Sequence, residues 1–166
     1  FRQAGVGGWS LDVHHVYNPI GQVLYQGDGS RRSAKGTVFN VITTIAGTGQ
    51  EGFNGDGRPA AQTSISSPKG ISVASDGSVF IVDSLNNRIR RVGPDGIVTT
   101  IAGTGQRGYS GDGGQAIQAS FNWPYDVALA SDGGVIIADY ANHRIRRVGS
   151  DGVITTIAGT GEPGYS

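Results

Sequence analysis

The chain of 166 residues (17.1 kDa) carries 29 glycines and 37% hydrophobic residues, with neither cysteine nor methionine; that balance favours short strands and tight turns and excludes disulfides and thiolate metal sites. Thirteen basic residues offset 13 acidic ones, so no net field draws nucleic acid or an anionic membrane, and no apolar run approaches the ~20 residues that span a bilayer. A chain that opens on Phe1 without methionine is expected to be a processed or excised piece of a longer polypeptide.

The phrase Val41-Ile42-Thr43-Thr44-Ile45-Ala46-Gly47-Thr48-Gly49 returns from Ile97 and again from Val153, each time 56 residues on. A fixed period marks stacked units that cannot bury their apolar faces alone. Shifting by two periods lays Gln22–Ile45 on Gly134–Ile157 without a gap. Two extra residues at Asn18-Pro19-Ile20-Gly21 then bring Trp9 onto Trp123, so the first forty residues read as a diverged third copy.

Within the middle copy, Gly70–Ala74 alternates apolar and small residues and predicts a strand buried mainly on one side. Ser75-Asp76-Gly77 predicts a hairpin turn. Val79–Val82 is a continuous β-prone run, as in a strand covered on both faces. Ser84–Asn87 reads as a turn, Arg88–Val92 as a third strand and Pro94-Asp95-Gly96 as another turn. Ile97–Ala102, with its paired threonines, reads as an outer, half-solvated fourth strand. The arginines at 88–91 and 144–147 read as edge protection on an outer strand.

Glycine-rich connections at 47–66 and 103–122 separate these units. Loops of such length are uncommon without a function, and Ala60–Ile65 and Ala116–Phe121 suggest a short helical turn within each. Four-stranded antiparallel units in tandem predict an all-β chain and a β-propeller. Its blades cover about 9–46, 67–102 and 123–158. A propeller closes with four to eight blades, so three leave two sheet faces bare. Strands ~4.8 Å apart and ~17 Å long give roughly 300 Å² per face, a size that marks an interface. The expectation is half of a six-bladed ring, closed by a second copy head to tail.

The runs Asp83-Ser84-Leu85-Asn86-Asn87-Arg88-Ile89-Arg90-Arg91-Val92 and Asp139-Tyr140-Ala141-Asn142-His143-Arg144-Ile145-Arg146-Arg147-Val148 resemble NHL repeats. Thr-Thr-Ile-Ala-Gly-Thr-Gly and the loop Gly-Tyr-Ser-Gly-Asp-Gly at 108–113 are similar to the longer variety in the propellers of teneurins and bacterial RHS (YD-repeat) proteins. The resemblance implies a binding platform outside the cytoplasm and identifies no partner; the expected module is non-enzymatic, with a protein partner or self-association. It implies structural roles for Asp83 with Arg88 and Asp139 with Arg144 at the turn between strands two and three. The first copy departs, with Gly27 at the aspartate position and Asp28 beside it, although Arg32 is retained.

In such a blade the long loop and the turn between strands two and three emerge on one rim. That rim collects Phe53, Asn54, Asp56, Arg107, Tyr109, Asp112, Tyr140 and His143 as candidate binding residues. Aromatic and polar groups together suit a protein or glycan surface, and a carbohydrate-binding propeller is the alternative. Trp9 and Trp123 read as packing residues between blades. No cofactor, metal site or catalytic residue is expected. His14 and His15 are adjacent in a strand and point to opposite faces, which leaves an NHL-like lyase with metal-bound histidines as the lesser alternative. Asn-Gly-Asp-Gly at 54–57 lacks the ligand series of a calcium loop, and Ala-Gly-Thr-Gly lacks the lysine of a phosphate loop.

Overall fold

The computed structural model describes residues 15–17, 23–26 and 42–164. The chain divides into two units, 1–43 and 44–166. In the first, β1 (His15–Tyr17) and β2 (Val23–Gln26) pair antiparallel, His15 opposite Gln26 and Val16 opposite Tyr25. Trp9, His14, Gly27, Asp28 and Arg32 lie outside the described residues.

The second unit holds two antiparallel sheets. One consists of β3 (Arg58–Pro59), β4 (Pro68–Val73), β5 (Val79–Asp83), β6 (Arg88–Val92) and β7 (Ile97–Ala102), in the order β3-β7-β6-β5-β4. The other orders β11 (Ile154–Ala158), β10 (Arg144–Val148), β9 (Val135–Asp139) and β8 (Asp126–Leu129). Register repeats with the sequence: Asp83 faces Arg88 and Val79 faces Val92, as Asp139 faces Arg144 and Val135 faces Val148.

Turn chemistry sets these lengths. Asp76 Oδ1 accepts the Ser78 N–H at 2.8 Å and Asp95 Oδ1 the Ile97 N–H at 3.0 Å, the local bond by which aspartate mimics a turn. Gly77 and Gly96 then take φ of +83° and +75°, where a side chain would be strained. Between β5 and β6 a 3₁₀ turn at Ser84–Asn86 ends on Asn87 at φ +47°, and Tyr140–Asn142 ends on His143 at +52°.

The main core lies between the two sheets. Val82, Ile89 and Ala102 of the first meet Ile137 and Ile154 of the second and Phe121 of the segment leading into it, with at most trace exposure. Burying a side chain such as Phe121 contributes about 1.5–3 kcal/mol. Where the edge strands β4 and β8 approach, the Gly70 N–H donates to the Tyr125 carbonyl at 2.8 Å. A Cβ on Gly70 would lie 2.6 Å from Asp126 Cα, so only glycine permits that approach.

Three expectations change here. Residues 42–50 hold no strand, so the first copy of the repeated phrase is not an outer strand where it is described. β4 alternates as predicted, with Gly70 half-buried on the side toward β8, but Ile71 and Val73 face the other way and are exposed. β6 and β10 are inner, not outer, because β7 and β11 pair beyond them. Arg90 and Arg146 are therefore wholly buried, not edge decoration.

Candidate functional site

The long connections are clasps on the edge of the following sheet. Residues 57–60 run along β7: Gly57 N–H donates to the Val98 carbonyl at 2.9 Å, Arg58 pairs with Val98, and Ala60 N–H donates to the Gly96 carbonyl at 2.9 Å. Residues 113–116 repeat this on β11, with Gly113 N–H to the Ile154 carbonyl at 2.8 Å, Gln115 bridging Val153, and Ala116 N–H to the Gly152 carbonyl at 2.9 Å. An edge covered this way offers no open ladder to a second chain. A 3₁₀ turn follows each, Ala60–Gln62 and Ala116–Gln118, as the sequence predicts.

Each clasp is locked by a buried arginine under an aromatic ring. Arg90 donates to Asp83 Oδ2 at 3.2 Å, to Asp56 Oδ1 at 2.9 Å and to the Gly55 carbonyl at 3.1 Å. Phe53 lies over Arg88 and Arg90, with ring centroid to guanidinium distances of 3.8 and 4.8 Å. Tyr109 covers Arg144 and Arg146 at 3.8 and 5.0 Å. Arg146 donates through Nε and Nη2 to Asp112 Oδ1 at 3.2 and 2.7 Å, and to the carbonyls of Ser110 and Ser120 at 2.7 and 2.9 Å. Such desolvated cation–π contacts reach ~2 kcal/mol.

The aspartates that pair with these arginines come from positions 83 and 139, as the sequence suggests, but their partners are Arg90 and Arg146 rather than Arg88 and Arg144. Two residues along a strand return to the same face, which puts Arg90 in the buried node. Arg88 instead donates to the Thr104 and Asn86 carbonyls at 2.6 and 3.0 Å, and Arg144 to those of Thr160 and Asn142 at 2.6 and 3.2 Å. Asn86 joins Asp83 to the Gly52 carbonyl, and Asn142 joins Asp139 to that of Gly108. This asparagine opens the Asn-x-Arg-Ile motif shared by both NHL-like runs, although it is not among the site residues expected from sequence.

Within the Arg146 node the two carboxylates are shifted in opposite directions. Burial alone would raise the Asp112 carboxyl, but hydrogen bonds from Thr156, Arg146 and Tyr109 and the Arg146 charge outweigh it and bring the pKa down to about 2. Burial pushes the Asp139 carboxyl up, against bonds from the Asn122 N–H, Asn142 and Arg146; its Arg146 nitrogen stands off at 3.6 Å.

The predicted rim thus separates into two groups. Phe53, Asp56, Tyr109 and Asp112 belong to the clasps, and Asn54 ties its own loop by bonds to the Gln62 carbonyl and the Ser64 N–H. Arg107 bonds Asn122 at 2.7 Å and lies 4.8 Å over the Trp123 ring. Trp123 is exposed on the rim instead of packing between sheets, held at φ +49° with its N–H on Asn87 Oδ1. Tyr140 and His143 form the second group, on the trailing face of the β8–β11 sheet. There Tyr140 is 62% exposed and lies 5.8 Å from Tyr125. Tyr125, Ala138, Tyr140, His143, Ile145 and Ala158 line a hollow of about 290 Å³. Tyr125, Ile145 and Ala158 were not singled out from sequence. The 56-residue shift from Val82, Ile89 and Ala102 is the signal that finds Ala138, Ile145 and Ala158. Among the described residues no three His, Asp or Glu side chains gather as a metal site, and no helix is long and apolar enough to cross a membrane.

Two antiparallel sheets, of five and four strands, that repeat at a 56-residue period and each carry an Asp–Asn–Arg node have the architecture of β-propeller blades. Residues 37–110 match the model of the teneurin NHL domain and residues 121–148 that of the NHL repeat; these two stretches are similar to NHL repeats, the first to those of teneurins. Teneurin-m of Drosophila melanogaster is 26% identical over 93% of the chain, and human teneurin-1 is 26% identical over 95%. The chain spans 8% of the length of each. Among solved structures, an auxiliary nutrient binding protein from Bacteroides thetaiotaomicron is 27% identical, with a TM-score of 0.51 over 69% of this chain and 28% of that one.

Proposed function

We propose that the chain is a non-enzymatic β-propeller module, with blades at about 9–46, 67–102 and 123–158, that serves protein–protein recognition or scaffolding outside the cell. One observation carries this reading: the trailing face of the β8–β11 sheet exposes Tyr125, Tyr140, Ile145 and Ile157 together, whereas the loops expected to bind are tied into clasps. Clustered aromatic and aliphatic groups of this kind are the anchors of interfaces. The likeness to teneurins supports a protein partner and an extracellular setting. The test is an array of purified extracellular protein domains probed with the chain and with its Tyr140→Ala variant. A binder lost on substitution, at unchanged thermal stability, is the expected result; binding that survives Tyr140→Ala and Tyr125→Ala contradicts the reading.

A second reading makes the Tyr125–Tyr140 pair a carbohydrate platform, favoured by the likeness to an auxiliary nutrient binding protein. A glycan array distinguishes it from the first. Metal analysis of the purified chain tests the lesser alternative, an NHL-like lyase. Closure of a six-bladed ring by two copies is a narrower form of the first reading, and solution mass decides it: about twice the 17.1 kDa of one chain is required.

A further inference from the structure

The two clasps, at 53–60 and 109–116, satisfy their buried arginines unequally. In the second, Arg146 commits all three nitrogens: Nε and Nη2 to Asp112 Oδ1, Nη2 also to the Ser110 carbonyl, and Nη1 to that of Ser120. In the first, the Nε of Arg90 is buried with no hydrogen-bond partner among the described residues, and so are the Nε of Arg58 and the hydroxyl of Thr63. A shift of 56 residues lays Arg58 on Gly114 and Thr63 on Ala119. The second clasp therefore has no polar side chain at either place to satisfy.

The three groups surround one loop. Arg58 pairs with Val98 and Arg90 with Thr100 across β7. Paired residues, and residues two apart on a strand, share a face, so both arginines project from the same side of the sheet. Both reach Gly55: its carbonyl accepts from Arg90 Nη2 at 3.1 Å, and a Cβ built on it would stand 3.4 Å from Arg58 Nη2. Asn54 bonds the Gln62 carbonyl at 3.0 Å and the Ser64 N–H at 2.9 Å, which brackets Thr63 against the same loop.

Each unmatched group can donate. A guanidinium has N–H groups and no acceptor, and a threonine hydroxyl rotates to suit its partner. A water that accepted from them would still need acceptors for its own hydrogens; an anion needs none. Charge points the same way. Arg58, Arg88 and Arg90 share the first clasp with Asp56 and Asp83, three cations to two carboxylates, whereas Arg144 and Arg146 meet Asp112 and Asp139 in equal number. Arg58 is half-buried and forms no ion pair among the described residues, a costly state for a charge taken out of water.

We infer that the first clasp binds a small monovalent anion of halide size, held by Arg58 Nε, Arg90 Nε and the Thr63 hydroxyl and balancing the third guanidinium. Burial sets the class of ligand. The Arg90 side chain and Thr63 expose nothing to solvent, so a carboxylate or phosphate carried on a larger molecule does not reach them, which leaves a free ion. The ion ties the 53–60 loop to β6. Chloride therefore strengthens the first clasp and leaves the second, which lacks both Arg58 and Thr63, unchanged.

Two measurements on the full chain test this. The first compares thermal denaturation in sodium chloride and in sodium gluconate at equal ionic strength, so that surface pairs are screened alike while gluconate is too large for the node. A saturable rise in Tm with chloride alone is expected. Arg58→Gly and Thr63→Ala, which import the residues of the second clasp, should each weaken the apparent chloride affinity about tenfold or more, the loss of one hydrogen bond to a charged group. The second measurement needs no variant: crystals of the parent chain grown in sodium bromide should show an anomalous peak within hydrogen-bond distance of Arg58 Nε and Arg90 Nε. Equal Tm in the two salts overturns the inference, as does an undiminished chloride response in Arg58→Gly. A water at the node, with bromide confined to exposed sites, also overturns it.

Discussion

The sheets β4–β7 and β8–β11 are built from one phrase and one node, yet their trailing faces have opposite fates. Val82, Ile89 and Ala102 are sealed by the lead-in of the following sheet; Ala138, Ile145 and Ala158 are open. At their centres residue type does not separate the two faces, since Ile89 and Ile145 are the same side chain, although Tyr125 and Tyr140 replace Lys69 and Ser84 at the margin. Occupancy does. The nodes beneath them also diverge: Arg90 bonds its strand aspartate directly, whereas Arg146 gives most of its donors to the clasp through Asp112.

The largest effects come from breaking a node. Replacing Arg90 or Arg146 by leucine strands buried carboxylates and should cost about 3–5 kcal/mol, read from chemical denaturation. The node difference makes a sharper claim within this: Asp83→Asn should destabilise more than Asp139→Asn. Asp83 accepts a direct bond from Arg90, and burial already favours the neutral form of Asp139. Equal losses would erase the distinction between the nodes.

Next come the glycines that follow β7 and β11. Gly103 and Gly159 hold φ of +99° and +91°, and a Cβ on either would collide with the carbonyl of Asn87 or His143. Alanine at each should cost about 1–3 kcal/mol from backbone strain. Gly103→Ala should cost more, because it also presses on Phe121.

Acid titration gives a smaller effect with a defined sign. The Asp112 carboxyl is depressed to about 2 from 3.8, so the folded state binds its proton less readily than the unfolded chain. The stability this supplies is complete above the unfolded value and is lost as pH falls from about 4 toward 2. Asp112→Asn should flatten that part of the stability profile; an unchanged slope contradicts the assignment.

Much of this was legible in the sequence. The period set the strands, and Asp-Gly and Asn-containing turns set their ends, because local bonds decide those conformations. The four strands of the middle copy and the 3₁₀ turns at Ala60 and Ala116 lie where the residues place them. Partner choice was less legible. Which arginine of Arg-Ile-Arg-Arg turns inward depends on the loop that returns over β6: Phe53, Gly55 and Asp56 close over Arg90. For the same reason the loop residues Phe53, Asp56, Tyr109 and Asp112 read as free binding groups. Nothing local reveals that the loop returns along the edge of the following sheet. Tyr125 was missed because its counterpart, Lys69, carries no aromatic signal.

On this reading the clasp aromatics hold the fold, whereas the exposed aromatics of the β8–β11 face do not. Thermal denaturation of Tyr109→Ala beside Tyr140→Ala tests it most directly. Tyr109 gives up its ring contacts with Arg144 and Arg146 and its hydroxyl bonds to Asp112 and Thr156, so its Tm should fall by several degrees for a loss of about 1–2 kcal/mol. Exposed Tyr140 should leave the stability within about 0.5 kcal/mol of the parent chain. Equal losses, or a larger loss at Tyr140, would contradict the claim.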